Sequence, residues 1–459
     1  MADRPNGSVP YDAPTQTALV SSDIQHLIHG YTDLAHHRTT GPRIITRGEG
    51  IYVIDSRGRR YIEAAAGMWC ASFGFSEEAL VEAAVRQFRE LPYYHTLASQ
   101  SVVPSIRLAE KLSGMVPIPD SHVYLTLSGS EANDFLIKFL WYYNNAIGRP
   151  KKKKVISRIN GYHGATVVGS SLTGIERNHV GFDVPLPGFL HTWDPHYTRY
   201  RLDGENEEEF VDRILKDLEK MIIDEGPHTI MAFMAEPVTG GGGVVIPPRG
   251  YYAKLQALLS QYDILFLADE IVTGFGRTGN MFGCETFDIH PAAMTLGKAL
   301  SGAYQPIAAI VLRGDIHEAM LQAGEPWASF SHGNTHSGSP VGAAVALRTL
   351  ELMDERRILD HVRRVSSTFL RRLKGLEEHP LVAETRGVGL MAAVQLRPDA
   401  NVGAAAVKIF AEEEGVIVRA LQGGSGIALS PPLIITEAEV NDLFDRLRDA
   451  LGHAAAATS

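Results

Sequence analysis

Residues 264–270 read Ile-Leu-Phe-Leu-Ala-Asp-Glu, an apolar run that ends on two carboxylates. Similar apolar runs end just before Glu236 and just before Gly297-Lys298. Such runs are typical of strands that are buried on both faces of a parallel sheet. Because the carboxyl ends of parallel strands share one edge, we expect Glu236, Asp269 and Lys298 to lie together there, where open α/β sheets bind their ligands.

The same alternation of apolar runs and amphipathic stretches extends from about Ser121 to Leu312 and predicts a mainly parallel sheet covered by helices. The predicted strands are 123–127, 155–156, 230–235, 264–268, 292–296 and 307–312, and the predicted helices are 132–143 and 210–222. Outside this region we expect a hairpin over 50–62, a strand over 433–435 and an amphipathic helix over 440–451. The hairpin is expected to fold with the C-terminal part, as a smaller layer.

The composition is that of a globular protein that acts on small molecules. Of 459 residues, 45% are hydrophobic and 21% charged, and the net charge of −10 disfavours proteins that coat nucleic acid or anionic membranes. Cys70 and Cys284 are too few for a disulfide framework, and the polar segment 1–20 lacks the apolar core of a signal peptide or membrane anchor. We therefore expect a cytoplasmic location and no membrane contact.

Ser128-Gly-Ser-Glu131 lies between a predicted strand and a predicted helix. Glycine lets the backbone approach a ligand, and hydroxyl and N–H groups at a helix start bind anions. A simple capping box of Ser128 and Glu131 would use the same positions. The segment thus predicts a phosphate cradle or an ordinary helix cap.

Two further patterns, one of glycines and one of histidines, each lack part of what a functional site needs. Gly274-Phe-Gly-Arg-Thr-Gly279 fits the dinucleotide fingerprint, but no helix pattern follows it, which disfavours a nicotinamide oxidoreductase. Four histidines near the N-terminus show no acid at metal-ligand spacing; we interpret them as structural and expect no metal site. They are His26, His29, His36 and His37.

A lysine and an acid at one sheet edge, beside a phosphate-binding helix start, meet the requirements of pyridoxal 5'-phosphate (PLP). The lysine amine bonds to the cofactor aldehyde, and an acid paired with the ring nitrogen keeps that nitrogen protonated, so that the ring acts as an electron sink. Lys298 and Asp269 are the candidates for these two roles.

From about His26 to Leu451 the chain resembles class III aminotransferases, in their amine:pyruvate or ω-transaminase branch. The resemblance rests on the combination of motifs 127–133, 161–164, 235–237, 268–279, 295–299 and 332–335. It implies the aspartate aminotransferase-like α/β fold (PLP fold type I), with a large domain around a mainly parallel seven-stranded sheet and a smaller α+β domain. The implied division is 1–74 as an N-terminal part of the small domain, 75–338 as the PLP-binding domain and 339–459 as the C-terminal small domain.

The resemblance also implies roles for individual residues. Lys298 would carry the cofactor and move protons during catalysis, with pyridoxamine phosphate as the alternate cofactor form. Thr335 would reach the phosphate from the neighbouring subunit, so a homodimer with shared active sites, or a tetramer of such dimers, is expected. The implied cofactor-binding residues are Gly129, Ser130, Tyr162, His163, Glu236, Asp269, Ile271, Lys298 and Thr335.

On the substrate side the resemblance implies an aromatic pocket with one arginine. Trp69 and Tyr93 would form its walls, Tyr31 would join from the partner chain, and Arg419 would bind the carboxylate of a 2-oxo acid. Gly241 stands where relatives often carry alanine, which would enlarge the pocket. The expected reaction is ping-pong transfer of an amino group from a hydrophobic or bulky amine to pyruvate or a similar 2-oxo acid. An aminomutase or epimerase of the same fold and a non-catalytic binding module are the alternatives.

Overall fold

The computed structural model describes residues 11–327, 329–421 and 424–457. The helices α1 to α16, in chain order, are Ala13–His26, Leu34–Thr40, Ala66–Trp69, Glu78–Glu90, Val103–Met115, Gly129–Ala146, Val167–Leu172, Tyr197–Tyr200, Glu207–Glu225, Tyr251–Gln261, Gly283–Phe287, Gly314–Leu321, Pro340–Glu355, Ile358–Gly375, Ala404–Glu413 and Glu437–Ala456. The strands β1 to β15 are Ile45–Glu49, Tyr52–Asp55, Arg60–Glu63, His122–Thr126, Lys154–Arg158, Phe189–Thr192, Ile230–Ala235, Leu265–Asp269, Ala293–Leu296, Ala308–Leu312, Val382–Val388, Met391–Leu396, Val416–Ile417, Arg419–Ala420 and Gly426–Leu429.

A seven-stranded sheet forms the centre, in the order β4-β10-β9-β8-β7-β5-β6. The pairs from β9 through β6 are parallel, whereas β10 is antiparallel to both of its neighbours. The expectation of a mainly parallel sheet is confirmed, with this one reversal. The reversal follows from the short connection between β9 and β10, because a parallel neighbour needs a long crossover. Strand β6 was missed because its four residues include His191 and Thr192.

Helices bury both faces of this sheet. On β7, Phe233 belongs to the same apolar cluster as Phe210 and Ile214 of α9, while Met234 belongs to a second cluster with Leu136 of α6. The predicted helices therefore form where the apolar spacing placed them. Within the described ranges, no helix combines the length and apolarity needed to cross a lipid bilayer.

Two four-stranded sheets complete the fold, in the orders β1-β2-β3-β13 and β11-β12-β15-β14. The predicted hairpin is β2 and β3, and β3 pairs in parallel with β13 through Ile62 and Val416. The predicted strand at 433–435 is wrong. This segment is a turn after two prolines, in which the Ile435 N–H donates to the Pro432 carbonyl at 3.1 Å.

Candidate active site

Three adjacent parallel strands bring the expected polar residues together. Glu236 follows β7, Asp269 ends β8, and Lys298 lies two residues after β9. All three side chains line one cavity of about 240 Å³. The other predicted residues that line it are Tyr31, Trp69, Gly129, Ser130, Tyr162, His163, Gly241, Ile271 and Arg419.

Asp269 is the most tightly fixed of these acids. Its Oδ2 accepts hydrogen bonds from His163 Nδ1 and Asn133 Nδ2, both at 2.8 Å, and its Oδ1 accepts one from the Ile271 N–H at 3.1 Å. A carboxylate can only accept, so His163 Nδ1 carries the hydrogen. Because both side-chain donors bind Oδ2, Oδ1 is the oxygen left with capacity to accept a further donor from the cavity.

Lys298 begins a 3-10 helix, with a backbone φ of 47°. Burial lowers the pKa of its amine, while the neighbouring Cys70, Asp269 and Glu236 oppose this shift. A lysine with a lowered pKa has more of the neutral amine, which is the nucleophilic and proton-accepting form. The left-handed φ costs on the order of 1 kcal/mol or more in a non-glycine residue and is typical of functional sites.

Glu236 connects two walls of the cavity. Its Oε1 accepts from the Tyr162 N–H at 3.0 Å and its Oε2 from the Gly240 N–H at 2.9 Å. Burial raises the pKa of this carboxyl group. Glu236 thus fixes Tyr162 on one side and the loop that carries Gly241 on the other.

The start of α6 contains a helix cap and two residues that line the cavity. Ser128 Oγ accepts from the Glu131 N–H at 3.2 Å, so Ser128 is the helix cap. Gly129 and Ser130 line the cavity instead. A Cβ atom at Gly129 would lie 3.0 Å from Ile271 Cδ1, so glycine permits the close approach of these two elements. The helix cap and the phosphate cradle that the sequence predicts for residues 128–131 use different residues, so the two interpretations are compatible.

The outer wall contains Trp69, Gly241 and Arg419. Trp69 is buried, with a left-handed φ of 66° that turns the chain at the end of α3. Arg419 begins β14, and its Nη1 donates to Met68 Sδ at 3.5 Å. A Cβ atom at Gly241 would lie 3.5 Å from Tyr162 Cβ, an ordinary contact, so an alanine would fit there and narrow the cavity.

The resemblance implied that Tyr31 joins the cavity from a partner chain, but here Tyr31 lines the cavity of its own chain. Its hydroxyl lies 3.4 Å from the Tyr162 hydroxyl and 3.4 Å from Asn178 Nδ2 of the same chain. Residues 27–33 connect α1 to α2, and the left-handed φ of 53° at Tyr31 turns this segment towards the cavity. Burial and this contact raise the pKa of Tyr162.

Tyr93 and Thr335 lie elsewhere on the chain, outside the residues that line the Lys298 cavity. The Tyr93 hydroxyl donates to the Thr335 carbonyl at 2.9 Å, and the Tyr93 ring packs edge-on against His336. Tyr93, which the resemblance placed in the substrate pocket, therefore does not line the cavity of its own chain. A second copy that brings Thr335 to the site would bring Tyr93 with it.

Asn133 is a site residue that the sequence pattern does not identify. Besides Asp269, its Nδ2 donates to the His163 carbonyl at 2.8 Å, and its Oδ1 accepts from Thr295 Oγ1 at 2.7 Å. The available signal was an amide on the buried face of α6, between Ala132 and Leu136. A buried amide in an apolar stripe requires polar partners.

This donor set fits PLP. Lys298 offers an amine of lowered pKa for the aldehyde, and Asp269 offers an acceptor for a protonated ring nitrogen. Gly129 and Ser130 open an 18-residue helix, whose first-turn N–H groups suit a phosphate. The Tyr162 and Ile271 side chains supply the walls for a flat ring.

Comparisons with known proteins agree with this geometry. The family model described as aminotransferase class-III matches residues 34–451. Gamma-aminobutyrate transaminase 1, mitochondrial, from Oryza sativa subsp. japonica is 45% identical over 424 residues, which cover 89% of this chain and 81% of that protein.

Solved structures of omega transaminases are also similar. The enzyme from Pseudomonas jessenii, in complex with PMP, gives a TM-score of 0.93 at 48% identity and covers 95% of this chain and 98% of its own. A thermostable variant engineered for asymmetric synthesis of enantiopure bulky amines gives a TM-score of 0.94 at 47% identity, covering 96% of this chain and 100% of its own. This chain belongs to the class III aminotransferases, enzymes of PLP fold type I that use pyridoxal 5'-phosphate and transfer an amino group from an amine to a 2-oxo acid.

Proposed function

We propose that this aminotransferase is of the ω-amine type and transfers the amino group of a hydrophobic or bulky amine to pyruvate or a similar 2-oxo acid, with ping-pong kinetics. The observation that carries the proposal is Gly241, which leaves the wall beside Tyr162 without a side chain. Trp69 and Ile271 add apolar surface to the same cavity. An apolar amine substituent gains most from such a wall.

Lys298 and Asp269 have different tasks in this reaction. When bound, PLP supplies an electron sink for the substrate carbon. Lys298 Nζ holds and moves the proton at that carbon, because burial lowers the pKa of its amine. Asp269, fixed by hydrogen bonds from His163 and Asn133, would accept the hydrogen of a protonated ring nitrogen.

Arg419 is proposed to bind the carboxylate of the 2-oxo acid. Its guanidinium lies at the cavity beside Met68, where two parallel N–H groups match a carboxylate. An amine without a carboxylate makes no such contact, so the arginine distinguishes the two half-reactions. Burial lowers the pKa of Arg419, so the side chain gains by pairing with an anion.

A homodimer with shared active sites is part of the proposal. Thr335 and Tyr93 contact each other away from the Lys298 cavity of their own chain. Close to Tyr93 in the sequence, α4 exposes Val81, Val85 and Phe88. Exposed apolar side chains on one helix are typical of a protein interface. A second copy on this face would supply Thr335 and Tyr93 to the neighbouring cavity.

A second candidate function is the use of an ω-amino acid such as γ-aminobutyrate as the donor. The names of the rice relatives favour it, and Arg419 would then bind the donor's carboxylate. An amine panel assayed with pyruvate and again with 2-oxoglutarate separates the two. We expect higher kcat/KM for arylalkyl amines with pyruvate. A preference for γ-aminobutyrate would contradict the proposal, and conversion of one substrate without any 2-oxo acid would indicate an aminomutase or epimerase.

Replacement of Gly241 tests the substrate wall. Gly241→Ala adds one methyl group 3.5 Å from Tyr162, and one methylene in a pocket changes kcat/KM by about 10- to 200-fold. We expect this loss for bulky amines and little change for small ones. Gly114→Ala, in open space on α5, is the matched control. An unchanged size preference in Gly241→Ala would refute the pocket assignment.

A further inference from the structure

Three side chains near the N-terminus converge although their spacing along the chain does not group them. His29 Nε2 lies 3.0 Å from Asp23 Oδ1 and 3.1 Å from Oδ2, and His37 Nε2 lies 3.1 Å from the same Oδ1. All three ligand atoms are within 4.8 Å of one another. Asp23 stands six residues before His29, so the last turn of α1 supplies an acid that lies outside the usual metal-ligand spacing.

The cluster has the dimensions of a metal site. Zinc binds histidine nitrogen and carboxylate oxygen at about 2.0–2.2 Å, which places tetrahedral ligand atoms roughly 3.3–3.6 Å apart. The two His to Asp distances, 3.0 and 3.1 Å, are roughly 0.2–0.6 Å shorter than that separation. Two imidazoles and one carboxylate give a set of charge −1, which suits a divalent cation of the first transition row.

Burial of the cluster leaves one side open. The side chains of Asp23 and His37 are 16% and 11% exposed, whereas that of His29 is 28% exposed. The first two are therefore shielded by the fold, and solvent or a fourth ligand reaches the cluster on the side of His29. Three protein ligands and one open position are a common arrangement for zinc.

The ligands come from three successive parts of the chain. Asp23 lies in α1, His29 in the connecting segment 27–33 and His37 in α2. That segment also carries Tyr31, which contacts Tyr162 in the active-site cavity through a left-handed backbone turn. A bond between these three elements would restrict the motion of Tyr31 directly.

We propose that Asp23, His29 and His37 bind a divalent transition-metal ion of the Zn²⁺ type, which clamps residues 27–33 over the mouth of the cavity. The competing interpretation is a tie of hydrogen bonds alone, in which both imidazoles donate to Asp23. Glutamine distinguishes the two, because its amide still donates a hydrogen bond to a carboxylate but is a poor ligand for zinc.

The test is Zn²⁺ titration of the tag-free PLP-loaded enzyme after treatment with a chelator, with Co²⁺ as a spectroscopic probe of the ligand field. We expect one Zn²⁺ per chain, and His29→Gln and His37→Gln should each weaken binding by about tenfold or more, since even loss of an outer partner of a ligand costs that much. His26→Gln and His36→Gln are the matched controls, because these exposed histidines lie on the same two helices outside the cluster. Their affinity for Zn²⁺ should equal that of the unaltered enzyme.

Hydrogen exchange of residues 27–40 measures the clamp. Zn²⁺ should slow this exchange in the unaltered enzyme and in the two controls, but not in His29→Gln or His37→Gln. Absence of Zn²⁺ binding, or equal binding by the glutamine variants, would overturn the metal site in favour of the hydrogen-bonded tie. Binding without slower exchange would overturn the clamp. None of these readouts depends on turnover, so the result is independent of the proposed substrates.

Discussion

Asn133→Ala removes the amide that holds Asp269 from the side of α6. The variant loses the 2.8 Å bond to Asp269 Oδ2, and it leaves the Thr295 hydroxyl and the His163 carbonyl without this partner. A hydrogen bond to a charged group contributes about 1.5–3 kcal/mol. The hydrogen bond from Asn133 holds the Asp269 carboxylate in place, so we expect its loss to weaken the binding of PLP. The affinity should fall roughly 10- to 150-fold, since about 1.4 kcal/mol is a factor of ten.

The assay is titration of the cofactor-free variant with PLP, followed by visible absorbance, together with kcat at saturating PLP. Asn144→Ala is the matched control, because Asn144 is also a buried amide of α6 but donates to the Leu140 carbonyl within the helix. We expect the control to lose stability and keep its affinity for PLP. An affinity of Asn133→Ala within twofold of the unaltered enzyme, or equal losses in both variants, would refute the reasoning.

Two further predictions concern Arg419 and Glu63. Arg419→Ala should raise KM for pyruvate by about tenfold or more, because the variant loses a charge-assisted hydrogen-bonded pair with the carboxylate. The kcat/KM for an apolar amine should stay within a few-fold of that of the unaltered enzyme. Equal effects on both substrates in steady-state kinetics would contradict the assigned role. Burial raises the pKa of Glu63 from 4.5 to about 7, although the Gly67 N–H donates to this carboxylate. Because the folded chain binds this proton more tightly than the unfolded chain, stability should fall as the pH rises from about 4.5 through 7, by about 3 kcal/mol for this group. Glu63→Gln should remove this part of the pH dependence in urea unfolding at pH 5 and pH 8; parallel curves for both proteins would contradict it.

The strands around the site were the most predictable part of the chain. The prediction for β7 matches Ile230–Ala235 at both ends, because an uninterrupted apolar run bounded by polar residues specifies a fully buried strand. The positions of Glu236, Asp269 and Lys298 at one edge follow from the parallel order of three such strands. In contrast, β6 is short and half polar, and the turn at 433–435 depends on the two prolines before it.

Residues that depend on long-range packing could not be placed from the sequence. The interaction of Asn133 with Asp269 joins positions 136 apart in the chain. Tyr31 reaches Tyr162 only because its backbone forms a left-handed turn. A tyrosine at position 31 does not predict such a turn. His29 and His37 share Asp23 because α1 ends beside α2, which is a fact of packing rather than of spacing.

We expect Lys298, two residues after β9, to be the residue that bonds PLP. The most direct measurement is borohydride reduction of the PLP-loaded enzyme followed by peptide mapping. We expect the pyridoxyl group on Lys298, and we expect Lys298→Ala to carry no such group and to lose turnover. A pyridoxyl group on another lysine, or an enzyme that takes up no PLP at all, would contradict the account.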